Sequence, residues 1–261
     1  MNLIGRATRK HYYEDPYLSC CPAVVVRSGE DYIELDGTVA YPEGGGQESD
    51  RGVIRLASGR VVRFVEAKRM YGHAPQLEGF PDIQVEGVIW HMIHPDDRAI
   101  AATIQAGAAI EVEIDVERRA RLSLSHSASH LVYLGIAQHR PDALPGILGC
   151  HIKPDGARFD FKVAQRFTPE EVEAIAAYAN ALVHRDIDMR VQAHAEHPDA
   201  RIWHCEAHQI PCGGTHLQSA GAIGPVRVRR KCLGAGKERL SCEFAQATVD
   251  LAPYRSAGDA F

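Results

Sequence analysis

Two pairs of potential metal ligands stand far apart in the sequence, and each pair spans four positions. His126 and His130 fall in a segment that reads as a helix, where residues four apart point the same way with Cβ atoms about 5–6 Å apart. Cys212 and His216 flank a Gly-Gly dipeptide, which favours a tight turn over a helix. Three imidazole nitrogens and one thiolate form a suitable tetrahedral set for zinc. The spacing predicts that a helix and a distant turn meet around one zinc ion.

Neither pair is specific when it is taken alone. The chain contains 14 histidines, so a histidine pair on a helix is more often a coincidence than a metal site. The conjunction of the two pairs favours a site that the fold itself assembles, because their separation is too large for a local finger-type zinc site. A metalloprotease helix is disfavoured, since Ser127 stands where that motif carries its glutamate.

A glycine-rich segment, residues 41–52, is the next feature that could support chemistry. Three consecutive glycines, Gly44, Gly45 and Gly46, precede Gln47. The backbone amides and the Gln47 side chain are candidates to hold a substrate or an oxyanion. Thr215, between the second pair of ligands, is a further catalytic candidate. The simpler interpretations are a surface loop for the glycines and a turn-stabilising hydroxyl for Thr215.

The elements that must position these residues change character near Asp115. Up to that point the chain is β-branched and punctuated by turns, which predicts a small barrel or sandwich. The predicted strands are residues 24–26, 32–35, 53–56, 61–65, 85–90 and 110–114.

Beyond Asp115, helices and strands alternate. Residues 117–140 read as a helix that Pro141 and Pro145 end. Thr168 followed by Pro169 and Glu171 predicts an N-cap with a capping box and a helix to about residue 184. Strands are expected at 158–163, 188–193 and 202–207 and within 221–244. The predicted fold class is α+β, with a small β-barrel in residues 1–115. An α+β domain with a mainly antiparallel sheet and the zinc-site helix follows in residues 116–261.

Composition limits the class of protein. The chain has 261 residues, a formal net charge of −5 and seven cysteines, two of them adjacent. The odd cysteine count disfavours a disulfide framework and fits a reducing compartment. The sequence shows neither a membrane-spanning apolar run nor a signal-peptide stretch. We therefore expect a soluble, cytoplasmic protein without membrane contact, and not a wholly basic nucleic-acid binder.

Local basic patches could still contact phosphates. Residues 225–240 contain six basic residues against the single acid Glu238, and alternation of Arg227 and Arg229 fits one exposed face of a strand. A solvated strand face is the usual alternative. The start of the metal helix, with Arg118, Arg119 and Arg121, is a second patch with the same two interpretations.

At these residues the chain resembles the second additional domain of alanyl- and threonyl-tRNA synthetases and its free-standing relatives, the AlaX proteins. The resemblance spans residues 41–243 and is closest to the medium-length AlaX class, whose glycine-rich motif residues 41–52 match. The other matching segments are residues 114–119 before the metal helix, the Arg-Phe-Asp-Phe strand at 158–161, the Cys-Gly-Gly-Thr-His turn within 210–217, and Gly-Lys-Glu-Arg-Leu at 236–240.

The resemblance implies a zinc-dependent, ATP-independent hydrolase that deacylates mischarged tRNA(Ala), with no obligate protein partner. Seryl-tRNA(Ala) is the expected substrate and glycyl-tRNA(Ala) the second candidate. It favours Lys237 and Arg239 as phosphate contacts. Cys150 stands where the family carries a hydroxyl thought to select the substrate side chain, and Ser127 stands where threonine is usual. The alternatives are a deacylase for another species, such as seryl-tRNA(Thr), and a non-catalytic, zinc-stabilised tRNA-binding module.

The chemistry of the metal stays open at this stage. Zinc can activate a water and polarise a carbonyl, but this requires an open coordination position. If all four predicted ligands bind, one must yield, or the coordination must expand, or the ion only orients the substrate.

Overall fold

The computed structural model describes residues 7–80 and 83–256, so the outermost parts of the two predicted domains, residues 1–6 and 257–261, lie outside it. Strands and short helices build the N-terminal half, with a 3-10 turn at Pro95–Asp97. In chain order they are β1 (Arg9–Lys10), α1 (His11–Glu14), β2 (Leu18–Ser28), β3 (Tyr32–Leu35), β4 (Gly37–Thr38), β5 (Gly52–Leu56), β6 (Val61–Met70), β7 (Val88–Ile93), α2 (Arg98–Ala101) and β8 (Ala109–Ile114).

Six antiparallel strands close into a barrel in the order β2-β3-β7-β6-β5-β8, and β8 pairs with β2 to complete the ring. Successive side chains of a strand point to opposite faces, so every second residue enters the barrel core. In β6, for example, Val62 and Phe64 are buried while Val61 and Val65 are exposed. The barrel predicted from the β-branched, turn-punctuated sequence is confirmed.

One predicted strand of the barrel begins later than expected. The prediction placed it at residues 85–90, whereas β7 begins at Val88. Glu86 has a φ of +57°, a left-handed conformation that interrupts an extended chain. Val85 therefore pairs with His73 in an isolated bridge before the strand starts.

The C-terminal half begins with a long helix and contains 3-10 turns at Pro141–Gly146 and Gly221–Ile223. Its elements are α3 (Val116–His139), β9 (Ile147–Lys153), β10 (Gly156–Lys162), α4 (Pro169–His184), β11 (Met189–Ala193), β12 (Arg201–Cys205), β13 (His208–Pro211), β14 (Arg227–Gly234), β15 (Lys237–Glu243) and β16 (Arg255–Ser256). An antiparallel sheet has the order β14-β15-β10-β9, and β11-β12-β13 form a second one. The α+β class is confirmed.

Asp115 is the N-cap of helix α3, because its carboxylate accepts a hydrogen bond from the backbone N–H of Arg118 at 3.0 Å. The helix ends at His139, two residues before Pro141. It is buried on nearly all sides, because it packs against α4 and β9 and β10. Gly135 permits the close approach to α4, since a Cβ there would lie 2.7 Å from the carbonyl oxygen of Ile175.

The predicted capping box of α4 is present. Thr168 Oγ1 accepts from the N–H of Glu171 at 3.2 Å, and Glu171 Oε2 accepts from the N–H of Thr168 at 2.8 Å. The sequence did not predict β9 and β13 as separate strands. Glu206, with a φ of +51°, makes the tight turn from β12 into β13, which is why β12 ends at Cys205 and not at residue 207.

A buried ion pair joins the start of α3 to the barrel. Arg119 and Asp50 have fully buried side chains, and the guanidinium also donates to the carbonyl oxygens of Val39 at 2.6 Å and Pro16 at 3.0 Å. A buried cation is tolerated when every donor is satisfied in this way. The suggested phosphate contact is therefore wrong for Arg119, which is inaccessible. Arg121 is paired with Glu117 one turn away.

Backbone hydrogen bonds also connect the glycine-rich segment to β9. The N–H of Ile152 donates to the carbonyl of Gly46 at 2.8 Å, and its carbonyl accepts from the N–H of Glu48 at 3.1 Å. At the other side of the barrel, β16 adds to β2 as a parallel strand. All seven cysteines are free thiols in the structure. Within the described part of the chain, no helix is both long and apolar enough to cross a membrane.

Candidate metal centre and its cavity

Helix α3 supplies the first two candidate ligands. His126 and His130 lie one turn apart and are buried. The His130 ring packs edge-on against the buried indole of Trp203 in β12, with centroids 4.6 Å apart. The helix thus fixes the spacing of the two rings, and the second sheet fixes the orientation of His130.

The turn after β13 supplies the other two. Gly214 lies so close to α3 that a Cβ would come within 2.1 Å of Cε1 of His126, so the position requires glycine. Ser127 on α3 holds the turn against the helix, because its hydroxyl accepts a hydrogen bond from the N–H of Leu217 at 2.9 Å. Gly214 is therefore needed for close approach to the helix, whereas a Cβ on Gly213 would face the hydroxyl of Tyr13.

The four predicted ligands converge. One ligand atom from each of His126, His130, Cys212 and His216 can be chosen so that all four lie within 4.8 Å of one another. Cys212 Sγ is 3.4 Å from Nε2 of His126 and 3.3 Å from Nε2 of His216. This cluster could hold a metal ion.

The electrostatics and the hydrogen bonding of the cluster fit a metal. Burial lowers the pKa of His130 to about 3 and those of His126 and His216 well below the usual value, so the rings are neutral, the form that binds metals. Burial raises the pKa of the Cys212 thiol to about 12, and a cation is what would favour its thiolate. The buried Nδ1 of His130 has no hydrogen-bond partner among the described residues. Three nitrogens and one sulfur are a donor set that zinc prefers.

Gln47 and Thr215 lie behind the ligands. Gln47 is fully buried, and its Oε1 lies 2.7 Å from Nδ1 of His126 and accepts from the N–H of Thr215 at 3.0 Å. Its Nε2 donates to Thr215 Oγ1 at 3.0 Å, which also accepts from the Ser123 hydroxyl at 2.9 Å. The oxygen and the nitrogen of the Gln47 side-chain amide are thus both engaged in hydrogen bonds, and the side chain orients the candidate ligand His126.

The three glycines lie beside Cys150 in β9. Gly45 and Gly46 have φ values of +58° and +85°, which glycine adopts readily. A Cβ on Gly46 would meet Cys150 Sγ at 2.3 Å, and that thiol points to the carbonyl of Gly45 at 3.4 Å. The N–H of Gly44 donates to the carbonyl of Gln47 at 3.2 Å, whereas within the described chain those of Gly45 and Gly46 donate no hydrogen bond.

A cavity of about 520 Å³ opens at the cluster. Three of the four candidate ligands, His126, His130 and Cys212, line it, and so do Gly44, Gly45 and Cys150. Apolar wall comes from Tyr133, Ile147, Phe159 and Ile210. The volume is in the range of small-molecule sites, and a mostly apolar wall with a few convergent polar groups is typical of them.

Lys237 and Arg239 lie on β15 and are not among the residues that line the cavity. Lys237 is exposed. Arg239 binds Asp160 in a bidentate ion pair, at 2.6 and 2.9 Å. Cavity-lining residues that the sequence did not indicate include Tyr13, Arg69 and Arg201, which come from α1, β6 and β12 and carry no local motif.

Known proteins similar to this chain include alanine–tRNA ligases and an alanyl-tRNA editing protein, while no protein-family model matches it. It is 30% identical over 244 residues to the alanine–tRNA ligase of Methanopyrus kandleri, a match that covers 85% of this chain and 24% of the ligase. Its identity to the ligase of Ignicoccus hospitalis is 32% over 248 residues, with the same coverage. It is 27% identical over 234 residues to the alanyl-tRNA editing protein AlaX-M of Pyrococcus horikoshii, covering 89% of this chain and 96% of that protein. The chain thus spans about a quarter of the length of the ligases and nearly all of AlaX-M.

Proposed function

Since this chain belongs to the AlaX-type family of alanyl-tRNA editing proteins, we propose that it edits tRNA(Ala) by hydrolysing the ester that joins a wrong amino acid to the terminal adenosine. Serine is the expected amino acid, with glycine as the second candidate. The observation that carries the proposal is the cluster of His126, His130, Cys212 and His216 beside a 520 Å³ cavity.

An aminoacyl ester is already activated, so the site needs no strong nucleophile. It needs a placed water and stabilisation of the charge that develops on the carbonyl oxygen. A zinc ion held by the four clustered residues would act as a Lewis acid toward that carbonyl once one ligand yields or the coordination expands to five. Side chains and backbone groups of this chain position the candidate ligands, stabilise the charge on the carbonyl oxygen and recognise the amino acid.

Gln47 and Thr215 act as positioning residues in this proposal, in place of the direct catalytic contact expected from the sequence. Gln47 Oε1 accepts the Nδ1 proton of His126, which leaves Nε2 free to face Cys212. Such outer partners fix the tautomer and the ring orientation of a histidine ligand. Thr215 in turn holds both ends of the Gln47 amide.

The N–H of Gly45 is the backbone donor that we assign to the substrate. Gly45 lines the cavity and donates no hydrogen bond to the described residues. A preorganised N–H group stabilises a developing oxyanion at no cost of reorganisation. The Gly46 N–H is the neighbouring candidate, and the Gly44 N–H is occupied.

Cys150 is the residue that we assign to recognition of the amino acid side chain. Burial raises the pKa of its thiol, so the group is neutral and is a weak hydrogen-bonding partner, not a nucleophile. An alanine pocket cannot strongly reject serine, which only adds a hydroxyl. A second site that hydrogen-bonds this hydroxyl disfavours alanine, because a buried polar group is then left unpaired.

Contact with the body of the tRNA is assigned to β15. Lys237 is exposed and free to neutralise a phosphate, whereas Asp160 holds the guanidinium of Arg239. Arg239 therefore contributes less than Lys237 unless tRNA draws it away from that carboxylate.

Hydrolysis of defined substrates tests the proposal. Seryl-, glycyl- and alanyl-tRNA(Ala) and seryl-tRNA(Thr) are incubated with the zinc-loaded protein, with and without chelator. We expect rapid loss of seryl-tRNA(Ala), slow loss of alanyl-tRNA(Ala), and no hydrolysis after chelation. His126→Ala and Cys212→Ala should lose zinc and activity, while the exposed matched variants His184→Ala and Cys232→Ala keep both.

Each alternative has its own outcome. Hydrolysis of seryl-tRNA(Thr) alone would show that the protein acts on tRNA(Thr) and not on tRNA(Ala). Salt-sensitive tRNA binding without turnover would indicate a non-catalytic binding module. Full activity after chelation would show that hydrolysis does not require a metal ion.

A further inference from the structure

Two arginines line the cavity beside the metal cluster. Arg69 comes from β6 of the barrel and Arg201 from the start of β12. The carbonyl of Arg201 accepts a hydrogen bond from the N–H of Cys212 at 2.8 Å, so this residue is adjacent to a candidate ligand.

Tyr13 links the two cations to the metal turn. The guanidinium of Arg201 stacks over the Tyr13 ring at 4.7 Å from its centroid, and the Tyr13 hydroxyl interacts with Arg69. A Cβ on Gly213 would lie 3.0 Å from the same hydroxyl. The arginines, the tyrosine and the turn therefore form one continuous part of the cavity wall.

The positive charge of the pair is compensated only in part, by Asp199, whose carboxylate favours the charged form of both guanidinium groups. Asp199 is the one carboxylate among the described residues that line the cavity. Its Oδ1 forms an ion pair with Lys10, and its Oδ2 accepts from the backbone N–H of Glu86 at 2.8 Å. Both of its oxygens are thus engaged outside the arginine pair.

The arginines also retain unused donors. Arg69 donates to the carbonyl of Gln84 at 3.2 Å, but its buried Nε has no partner in the described chain. The Arg201 side chain donates no hydrogen bond to any described residue, and burial lowers the pKa of its guanidinium. A half-buried cation with free donors is unfavourable by itself and is typical of a site that an anion completes.

We propose that Arg69 and Arg201 form a phosphate-binding site that receives the 5′ phosphodiester of the terminal adenosine of the aminoacylated tRNA. The assignment rests on the proposed editing function. In a 3′-aminoacyl nucleotide one ribose separates the ester from this phosphate, which matches a cationic wall that begins next to Cys212. Guanidinium groups bind phosphate oxygens in a bidentate manner. By holding the phosphate on the far side of the ribose, the site would place the ester at the metal cluster.

Binding of small ligands tests the phosphate site without hydrolysis. The probes are AMP, adenosine and L-serine, titrated by calorimetry into zinc-loaded protein. Because hydrogen bonds to charged groups contribute about 1.5–3 kcal/mol, AMP should bind about 10- to 100-fold more tightly than adenosine. In Arg201→Gln this ratio should fall to near one, while Arg190→Gln, an exposed arginine on the neighbouring strand β11, should keep it.

The outcomes separate this inference from the proposed function. Equal binding of AMP and adenosine by the unaltered protein, or an unchanged ratio in Arg201→Gln, overturns the phosphate site even when seryl-tRNA(Ala) is hydrolysed. An AMP preference that Arg201→Gln abolishes supports the site even when no tRNA is hydrolysed. If Arg201→Gln weakens serine binding and leaves AMP binding intact, the pair binds the carboxylate of the released amino acid and the inference is wrong.

Should Arg201→Gln fail to fold, Arg201→Lys keeps the charge but loses the bidentate geometry. We then expect a several-fold smaller AMP preference than in the unaltered protein, and an undiminished preference contradicts the site.

Discussion

Gln47 Oε1 lies 2.7 Å from Nδ1 of His126, so a side chain from the barrel's glycine-rich segment holds a candidate metal ligand of helix α3. The same oxygen accepts from the N–H of Thr215, one residue before His216. One amide thereby sets the position of the helix histidine relative to the turn, and the candidate metal centre depends on both halves of the chain.

Replacing Gln47 should weaken metal binding. Gln47→Ala removes the acceptor for His126, and loss of such an outer partner typically reduces metal affinity or activity about 10- to 100-fold. Zinc affinity is measured by competition with a chromophoric chelator, beside seryl-tRNA(Ala) hydrolysis. Gln47→Glu keeps an acceptor and should recover part of the affinity, and the exposed Gln192→Ala is the neutral control. Unchanged zinc affinity in Gln47→Ala would contradict the positioning role.

A methyl group at Gly214 should disrupt the cluster. The added Cβ would meet His126 at 2.1 Å and Gln47 Oε1 at 2.9 Å, so the ring must move. We expect Gly214→Ala to lose zinc and to be destabilised by about 1–3 kcal/mol, as overpacking commonly is. Gly149→Ala is the control, because its Cβ would meet no atom within 4 Å. Full zinc content in Gly214→Ala, measured by atomic emission, would show that the turn is more tolerant than its geometry indicates.

Lys237 should account for part of the salt dependence of tRNA binding. Lys237→Ala is expected to weaken binding of tRNA(Ala) and to reduce the slope of log affinity against log salt by about one. Filter binding at a series of salt concentrations measures both. Lys68→Ala, an exposed lysine of the barrel that pairs with Glu66, is the control. An identical slope in the Lys237 variant and the unaltered protein excludes this phosphate contact.

The ion pair between Arg119 and Asp50 should be sensitive to the loss of one partner. Arg119→Met leaves a buried carboxylate without its cation, and breaking such a pair commonly destabilises by about 3–5 kcal/mol. Urea unfolding followed by circular dichroism measures the change. The exposed Arg121→Met should have little effect, since surface pairs contribute about 0–1 kcal/mol. A small loss of unfolding free energy in Arg119→Met would mean that water reaches the carboxylate of Asp50.

His91 should make the barrel less stable in acid. Its buried ring donates from Nδ1 to the carbonyl of Ile33 and accepts at Nε2 from the Thr38 hydroxyl, and burial lowers its pKa to about 4. The unfolded chain binds a proton near pH 6.5 while the folded chain does not. The stabilisation is therefore complete above pH 6.5 and is lost as the pH falls toward 4, by roughly 3 kcal/mol at 1.36 kcal/mol per pKa unit.

Comparison of the unaltered protein with His91→Gln isolates this effect, because the other buried histidines are common to both. The free energy of unfolding is measured at intervals from pH 7.5 to pH 4.5. The variant should show the shallower decline. Parallel curves for the two proteins would assign the acid sensitivity to other groups.

Local pattern was sufficient for most of the regular elements, although β9 and β13 were not predicted. β-Branched runs between turn residues predicted the barrel strands, and Thr168 with Glu171 predicted the start of α4. The convergence of His126, His130, Cys212 and His216 was also predicted, because the helix spacing and the Gly-Gly turn are local signals. The strand boundaries at Glu86 and Glu206 were not predicted, because non-glycine residues in left-handed conformations carry no distinct sequence signal.

Long-range placement was the part that local pattern could not supply. Gln47 was expected to face the substrate, and nothing in residues 41–52 indicates that its amide is consumed by His126 and Thr215. Arg119 resembles any basic residue at a helix start, yet Asp50 buries it. Arg69 and Arg201 come from strands of different sheets, so only the folded chain brings them to one wall.

The addition of β16 to β2 limits how the molecule can open. The chain leaves the barrel at Asp115, touches it again where Gly46 bonds Ile152, and returns to it through Arg255 and Ser256. Three separated attachments prevent the halves from swinging apart about a single hinge. If the chain edits tRNA as proposed, the aminoacylated end therefore enters a cavity whose walls, built from both halves of the chain, are already held together.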